Sequence, residues 1–430
     1  MADRRYPVTE AVREEVTSPV TSSLSSPATS AAASALPARW RARYRLTPWW
    51  AKVIAIWALS RIVTTTLILI LASVQGDNPW TSAHPSYAQF ANMWDGLWYN
   101  IVAVSGYPSV LPVTETGHIA ENAWAFMPAY PMLVRLLMLI TGLGWAPLAA
   151  FVSLAFSLGT ALLFYKLMLR VLPASTALFS VVLFCVAPLS PLLQFGYAES
   201  MYLFLLTLAL MLLLDRRYAL LFPVIAVMAV TRPSGLAFAL ALGLHVIYRF
   251  VTRRRDPFPM RERMLAASVA VFSGVMGLAW LVAAWAVTGS PTAYTDTELA
   301  WRSAYIGYQE LVPFTAWFQS GAWWLGEPLG FIVVVALILA FALFMFSPPV
   351  RRLGVDLRFW VASYALYLLA VFFPQSSTFR LLMPMFPLLG AIAVPRNLAY
   401  RISLVVLGIA GQWGWLLIAW GVDGADWTPP

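Results

Sequence analysis

Asp95 is the residue of this sequence whose type and setting are best suited to chemistry. From position 90 the chain reads FANMWDGLWYNIVAV, in which Asn92, Asp95 and Tyr99 share one stripe of a helix. The opposite stripe is apolar and consists of Phe90, Trp94, Leu97, Trp98 and Ile101. This pattern predicts an amphipathic helix lying on a membrane surface, with Asp95 turned away from lipid. Asp95 is then either an ordinary solvated acid or a general base tuned by partial burial.

A second chemical feature is a set of isolated arginines, namely Arg135, Arg232, Arg302 and Arg380. A charge in or beside hydrocarbon costs roughly 2.5–3.5 kcal/mol, so such residues pair with acids or line a cavity. Arg232 and Arg380 each adjoin a short apolar run, and both could bind a lipid-linked phosphate in one pocket. The alternatives are pairing with an acid such as Glu199 or snorkelling to headgroups. For Arg302 the alternative is a solvated loop arginine.

Glu199 begins an apolar run beside Tyr197, so it either stabilises a helix N-terminus or contacts a substrate. The histidines lack the spacing of metal ligands. A divalent cation held by Asp95 and Glu121 is conceivable but not favoured, and no cofactor is predicted.

The composition indicates the class of protein. Hydrophobic residues make up 60% of the 430 positions and charged residues 11%, and the mean hydropathy is +0.74. Because so little polar surface is available, the chain is predicted to be an integral membrane protein. The net charge of +9 comes from short clusters between apolar runs, as in loops facing an anionic leaflet, so no nucleic acid is expected as a partner. Abundant arginine and alanine favour a bacterial source.

Apolar runs predict an all-α fold with about eleven transmembrane helices. They lie at 50–74, 145–169, 173–193, 198–214, 218–231, 234–252, 265–288, 328–347, 357–373, 381–395 and 401–421. The runs at 218–231 and 381–395 are shorter than the ~20 residues of a straight span, so they are expected to be broken or to end at a cavity. The run at 126–142 contains Arg135 and is predicted to be a second juxtamembrane helix.

The distribution of charge predicts the orientation in the plasma membrane. Basic residues gather in one set of loops and acidic residues in the other, which places the N-terminus in the cytoplasm and the C-terminus outside. The predicted domains are a disordered cytoplasmic tail (1–48), a transmembrane domain (49–421) and an external tail (422–430). Two external segments, 75–144 and 289–327, are rich in tryptophan and tyrosine. The chemistry is expected on this external side.

Several motifs in order resemble those of PIG-V-type mannosyltransferases of the GT-C superfamily. They are WDGLWYNIVAVSGYP followed by AFMPAYPMLVR, then GYAESMYLFLL, TRPSGL and FRLLMPMFPLL. The likeness extends from about residue 50 to residue 395, although Met127 stands where the family pattern has a second phenylalanine.

The resemblance implies a GT-C-like fold and an inverting transfer of a hexose, usually mannose, from a polyprenyl-phosphate donor to a hydroxyl of a glycolipid or cell-wall glycan. It implies that Asp95 is the catalytic base and that Arg232, Arg380 and Arg302 bind the donor. The candidates for contact with acceptor or sugar are Trp94, Tyr99, Tyr130, Tyr197 and Glu199. A lipid-linked glycan transporter and a non-catalytic glycolipid-binding subunit remain the alternatives.

Overall fold

A computed structural model describes residues 46–422 and residue 429. Most of the predicted tails at 1–48 and 422–430 lies outside the described residues. The chain divides into two compact units, Met1–Pro48 and Trp49–Pro430, and the second is described here. Its described part is built from helices, with one isolated bridge between Val113 and Ile119. The predicted all-α fold is confirmed.

The longer helices are numbered in chain order. They are α1 Trp49–Val74, α2 Asp95–Ser105, α3 Ala129–Thr141, α4 Trp145–Met168, α5 Ala174–Val186, α6 Glu199–Leu214, α7 Tyr218–Ala229, α8 Gly235–Val251, α9 Met260–Thr288, α10 Ala293–Ala300, α11 Ala316–Leu325, α12 Leu329–Met345, α13 Val355–Val371 and α14 Leu398–Ala419.

Most of the predicted apolar runs form helices. Among the described residues, four helices are long and apolar enough to cross a membrane, namely α1, α4, α9 and α14. The shorter apolar helices are α3, α5, α6, α7, α8 and α12. The chain is therefore a multi-pass membrane protein, while the number of spans stays a prediction.

The predicted span at 173–193 is broken. Helix α5 ends at Val186, and a proline-containing 3₁₀ turn follows. The break frees backbone carbonyl groups, which must find donors inside a membrane. Arg61 of α1 supplies them, because its guanidinium group donates to the carbonyl oxygens of Cys185 and Ser190, both at 2.7 Å. Arg61 is therefore a structural residue.

The run at 381–395 forms short pieces instead of one long helix. They are the single turns Thr378–Leu381 and Leu388–Ile392 with the 3₁₀ turn Met383–Met385 between them. The prolines of this run lack the N–H groups that a continuous helix needs. The freed carbonyl of Pro384 accepts a hydrogen bond from Trp360 Nε1 of α13 at 2.9 Å.

Close packing of two helices fixes the turn between α7 and α8. A Cβ atom added at Gly235, the first residue of α8, would lie 2.6 Å from the Cα of Gly277 in α9. Small residues allow such backbone approach between membrane helices. This contact holds the turn that carries Arg232.

Candidate active site

The chain turns sharply just before Asp95. Helix α2 begins at Asp95, and Trp94 has φ 57° and ψ −121°, which is the geometry of the first central residue of a type II′ turn. The N–H of Gly96 donates to the carbonyl of Met93 at 3.2 Å and closes this turn. The prediction of one continuous helix from Phe90 is therefore wrong. A non-glycine residue in such a conformation costs on the order of 1–3 kcal/mol, so surrounding contacts must hold it.

The side chain of Trp94 provides these contacts. Its indole is only 5% exposed, its Nε1 donates to the carbonyl of Ala419 at the end of α14 at 2.8 Å, and its ring centroid lies 4.7 Å from that of Trp80. Phe90 is also fully buried. Both residues pack in the protein interior instead of on a lipid-facing stripe. The indole Nε1 of Trp94 is bonded to Ala419, so this side chain supports the turn.

Tyr197 holds the same turn from the opposite side. The backbone N–H of Asp95 donates to the Tyr197 hydroxyl at 3.2 Å, and that hydroxyl donates to the carbonyl of Met93 at 3.1 Å. Gly196 allows this approach, because its N–H donates to Ala91 at 2.9 Å and an added Cβ would collide with the side chain of Asn92. The position of Asp95 is therefore set by its backbone as well as its side chain.

Two carboxylates and two arginines meet beside this turn, and we call them the four-charge cluster: Asp95, Glu199, Arg232 and Arg380. Arg380 Nη1 donates to Asp95 Oδ2, and Arg380 Nε lies 3.5 Å from Glu199 Oε1. Arg232 Nη1 donates to the same Glu199 oxygen. The structure thus shows the ion pair with Glu199 that was the structural alternative for Arg232. With both carboxyl groups ionised the charges sum to zero, which offsets part of the cost of burying them.

Different elements supply the two arginines. Arg232 follows α7, and its backbone N–H donates to the carbonyl of Met228 at 3.2 Å. In the same segment the carbonyl of Val230 accepts a hydrogen bond from the N–H of Ala129, the first residue of α3, at 3.0 Å. Arg380 lies on the single turn after α13, whose Leu381 carbonyl accepts from the Tyr364 hydroxyl at 2.9 Å. The breaks in the two short apolar runs therefore place both guanidinium groups at the same end of the bundle.

A narrow crevice adjoins the four-charge cluster. Its space is about 190 Å³, including the part open to solvent. It is lined by Glu199, Arg232 and Arg380 of the cluster together with Tyr202, Tyr364 and Pro384, whereas Asp95 does not line it. One oxygen of Glu199, Oε2, is buried without a hydrogen-bond partner among the described residues. A buried acceptor without a partner is energetically costly. The four-charge cluster therefore retains an unused hydrogen-bond acceptor at Glu199.

Burial alters the acidity of Asp95. Desolvation raises the pKa of Asp95 above its ordinary value, and the nearby charge of Arg380 opposes this shift. A raised pKa makes the ionised carboxylate a stronger base. The ion pair has the opposite consequence, since it stabilises the ionised form. Asp95 is therefore a candidate base whose reactivity depends on what Arg380 contacts.

The remaining aromatic candidates lie behind the cluster. Tyr99 is buried, and its ring contacts Tyr130 at 5.4 Å and Phe126 at 5.3 Å between centroids. The hydroxyl of Tyr130 donates to the carbonyl of Ala149 at 2.8 Å. Both side chains pack α2 and α3 against α4. The structure places neither of them in the lining of the crevice.

Arg302 lies apart from the four-charge cluster. It follows α10 and is mostly buried, and among the described residues it forms no ion pair within 4.0 Å with the cluster. Its guanidinium group interacts electrostatically with Glu298, which lies one helical turn earlier. Tyr294, Glu298 and Arg302 recur at intervals of four along this segment.

No group of three or more metal-ligating His, Cys, Asp or Glu side chains occurs in residues 46–422 and 429. Asp95 instead has Arg380 as its partner.

Comparison with known proteins gave similarities to solved structures. No protein-family model matches the chain, and no curated protein sequence matches it. The chain is similar to ArnT from Cupriavidus metallidurans bound to undecaprenyl phosphate, with a TM-score of 0.46 and 15% identity over 82% of this chain and 62% of that one. It is also similar to the Archaeoglobus fulgidus oligosaccharyltransferase tethered with an acceptor peptide, with a TM-score of 0.40 and 12% identity over 84% of this chain and 53% of that one. The chain therefore spans less than two thirds of the length of either protein.

Proposed function

We propose that this protein is an inverting membrane glycosyltransferase that uses a polyprenyl-phosphate hexose, with mannose as the first candidate. The acceptor is a hydroxyl of a lipid-linked or cell-envelope glycan at the outer face of the membrane. The observation that carries the proposal is the Asp95–Arg380 pair within the four-charge cluster. It combines a partly desolvated carboxylate with cationic donors at the end of an apolar bundle, where a lipid-linked sugar phosphate would arrive.

The reaction needs a base and a site for the departing phosphate. The acceptor oxygen attacks the anomeric carbon while the bond from that carbon to the phosphate oxygen breaks. The acceptor proton passes to Asp95, and the polyprenyl phosphate leaves with both electrons of the broken bond. Because the phosphate keeps its charge, it needs guanidinium partners and no acid. Arg380 and Arg232 supply these groups in the proposal.

Donor binding and base activation are coupled in this proposal. Arg380 donates a hydrogen bond to Asp95, and Arg232 donates one to Glu199. A phosphate that draws Arg380 toward itself weakens the hold on Asp95, and the carboxylate becomes a better proton acceptor. The base is then strongest when a donor is in place.

The experiment uses purified protein in lipid nanodiscs with polyprenyl-phosphate mannose and, in parallel, polyprenyl-phosphate glucose. We expect transfer of the hexose to an alkyl glycoside or to extracted envelope glycolipid, with inversion at the anomeric carbon. Transfer from the glucose donor alone would show that the hexose is glucose and not mannose. Donor binding without any transfer would contradict the enzymatic proposal and favour the glycolipid-binding alternative.

A further inference from the structure

A group of arginines lies at the end of the bundle opposite the four-charge cluster. It belongs to residues 252–263, which join α8 to α9 and form the first turn of α9, and we call this segment the arginine loop. Its five arginines are Arg253, Arg254, Arg255, Arg261 and Arg263. Helix α8 begins shortly after Arg232 and has 17 residues, so it carries the chain about 25 Å away from the end that holds the cluster. The arginine loop is therefore separate from the proposed active site.

The two acids of the arginine loop do not neutralise these arginines, because other residues bind them. Asp256 pairs with Arg216, and one of the two hydrogen bonds of this pair measures 3.0 Å. Glu262 pairs with Arg249 of α8 at 3.1 Å. Among the described residues none of the five arginines of the loop forms an ion pair. Their positive charge is therefore available to an anionic ligand.

Two of these arginines share one aromatic ring. The guanidinium carbon of Arg253 lies 4.0 Å from the ring centroid of Phe250, and that of Arg263 lies 5.0 Å from the same centroid. Arg253 donates to the carbonyl of Phe250 at 2.7 Å, and Arg263 donates to the carbonyl of Phe258 at 3.0 Å. The Nε atom of Arg263 is buried without a partner among the described residues. The two like charges therefore keep unused donors, and an anion bound between them would offset their repulsion.

Exposed apolar side chains lie beside this arginine pair on both helices. On α8 they include Ile247 and Val251, and on α9 they include Met260 and Met264. The two residues of each set are four positions apart, so they share one face of their helix. Helix α9 is long and apolar enough to cross a membrane, and its exposed apolar face would therefore contact lipid chains. A ligand that combines an anionic head with hydrocarbon tails matches both features.

We propose that Arg253 and Arg263 bind the phosphate of an anionic phospholipid, with Phe250 as the ring that orients both guanidinium groups. A guanidinium group binds phosphate through two donors at once and stacks on aromatic rings. The acyl chains lie along the exposed apolar faces of α8 and α9. A soluble phosphate would match the arginines but would leave these apolar faces uncovered, so the lipid fits better. The inference does not depend on the proposed function, because the site lies at the other end of the bundle.

The test measures binding of the first phosphatidylglycerol molecule to the full-length protein in detergent micelles by native mass spectrometry, with phosphatidylcholine as the comparison. The wild-type protein should prefer phosphatidylglycerol, whose head carries a net negative charge. Each arginine near a membrane surface contributes about fivefold to the binding of an anionic lipid. We therefore expect Arg253→Gln to bind phosphatidylglycerol about fivefold more weakly, and Arg253→Gln combined with Arg263→Gln to bind it more weakly still. Arg253 is exposed, so the single variant gives an answer even where the double variant fails to fold.

Two further variants separate this site from a general attraction to basic loops. Arg351→Gln combined with Arg352→Gln is the matched control, since it removes two exposed arginines from the turn before α13, and these contact no aromatic ring among the described residues. It should bind phosphatidylglycerol like the wild-type protein. Phe250→Leu keeps every charge but removes the shared ring, so it should weaken this binding.

Three results would overturn the inference. The first is equal weakening in the two double variants, which would show a diffuse attraction to positive charge. The second is unchanged phosphatidylglycerol binding in Phe250→Leu or in Arg253→Gln, and the third is equal binding of phosphatidylcholine by the wild-type protein. Excess inorganic phosphate should leave the lipid bound, because it cannot cover the apolar faces. Displacement of the lipid by phosphate would assign the site to a soluble anion and would contradict the lipid assignment.

Discussion

Each charge of the four-charge cluster is balanced by a partner from a different element. Asp95 of α2 pairs with Arg380, and Glu199 of α6 pairs with Arg232. The side chains of Arg232 and Glu199 are only 13% and 3% exposed, so neither charge can recover its full hydration if the partner is removed. The pairs therefore contribute to folding as well as to the proposed chemistry.

Removal of one partner should destabilise the protein more than removal of both. Arg232→Gln removes the closer of the two guanidinium groups beside the buried Glu199, and we expect a loss of about 3–5 kcal/mol in the free energy of unfolding. Arg232→Gln combined with Glu199→Gln should recover much of that loss, since no unpaired charge remains. Denaturant unfolding in detergent measures both.

Arg170→Gln serves as the control, because the Arg170–Asp215 pair at 2.8 Å is about one-third exposed and such pairs contribute only about 0–1 kcal/mol. Equal losses of unfolding free energy in Arg232→Gln and Arg170→Gln would show that the buried pair stabilises the fold no more than the exposed pair does.

The sequence pointed to the residue types of the site but not to its backbone. Asp95 was selected from its place on the polar stripe of an amphipathic pattern, and Glu199, Arg232 and Arg380 from their positions beside apolar runs. The turn at Trp94 was missed, because helical periodicity does not reveal a positive φ angle at a tryptophan.

At the scale of elements, broken helices position the site. Hydropathy locates the apolar runs, but it does not show that α5 ends at Val186 or that 381–395 forms separate turns. Prolines mark these breaks, and the donors that satisfy the freed carbonyl groups lie far away in sequence. Arg61 and Trp360 are two of them. These long-range bonds could not be read from the local pattern.

The break after α5 should depend on Arg61. Arg61→Leu removes the donors to Cys185 and Ser190, and we expect a lower unfolding temperature because two buried carbonyl groups lose their partner. Donor affinity per folded molecule should change little, since Arg61 is not part of the four-charge cluster. Ser73→Ala, an exposed hydroxyl near the end of the same helix, is the control for substitution in α1. An unfolding temperature like that of the wild-type protein would contradict this role.

At the scale of the whole molecule, the cluster lies at one end of the bundle and most other ion pairs lie at the opposite end. The latter pairs are Arg170–Asp215, Arg216–Asp256, His245–Asp356 and Arg249–Glu262. The distribution of basic residues predicts that this opposite end faces the cytoplasm. The proposed chemistry depends on this orientation, because it fixes the compartment from which the acceptor comes.

Cysteine labelling measures the orientation. Ser109 and Pro257 are both exposed, and Cys185 is buried and can be replaced by alanine to give a background without other thiols. In intact cells an impermeant reagent should label Ser109→Cys and should leave Pro257→Cys unlabelled until the membrane is opened. The reverse pattern would place the cluster on the cytoplasmic side.

The most direct test of the central claim is a pair of measurements on Asp95→Asn, namely turnover and donor affinity on the same folded protein. The substitution keeps the shape of the side chain and removes its basicity, so we expect turnover to fall by about 10²–10⁴-fold. Donor affinity should be retained or increase, because Arg380 loses its anionic partner and is free to bind phosphate. In the wild-type protein, turnover should decline as the pH falls through the raised pKa of Asp95, since only the ionised carboxylate accepts a proton. Near-normal turnover of Asp95→Asn would contradict the account and remove Asp95 as the base.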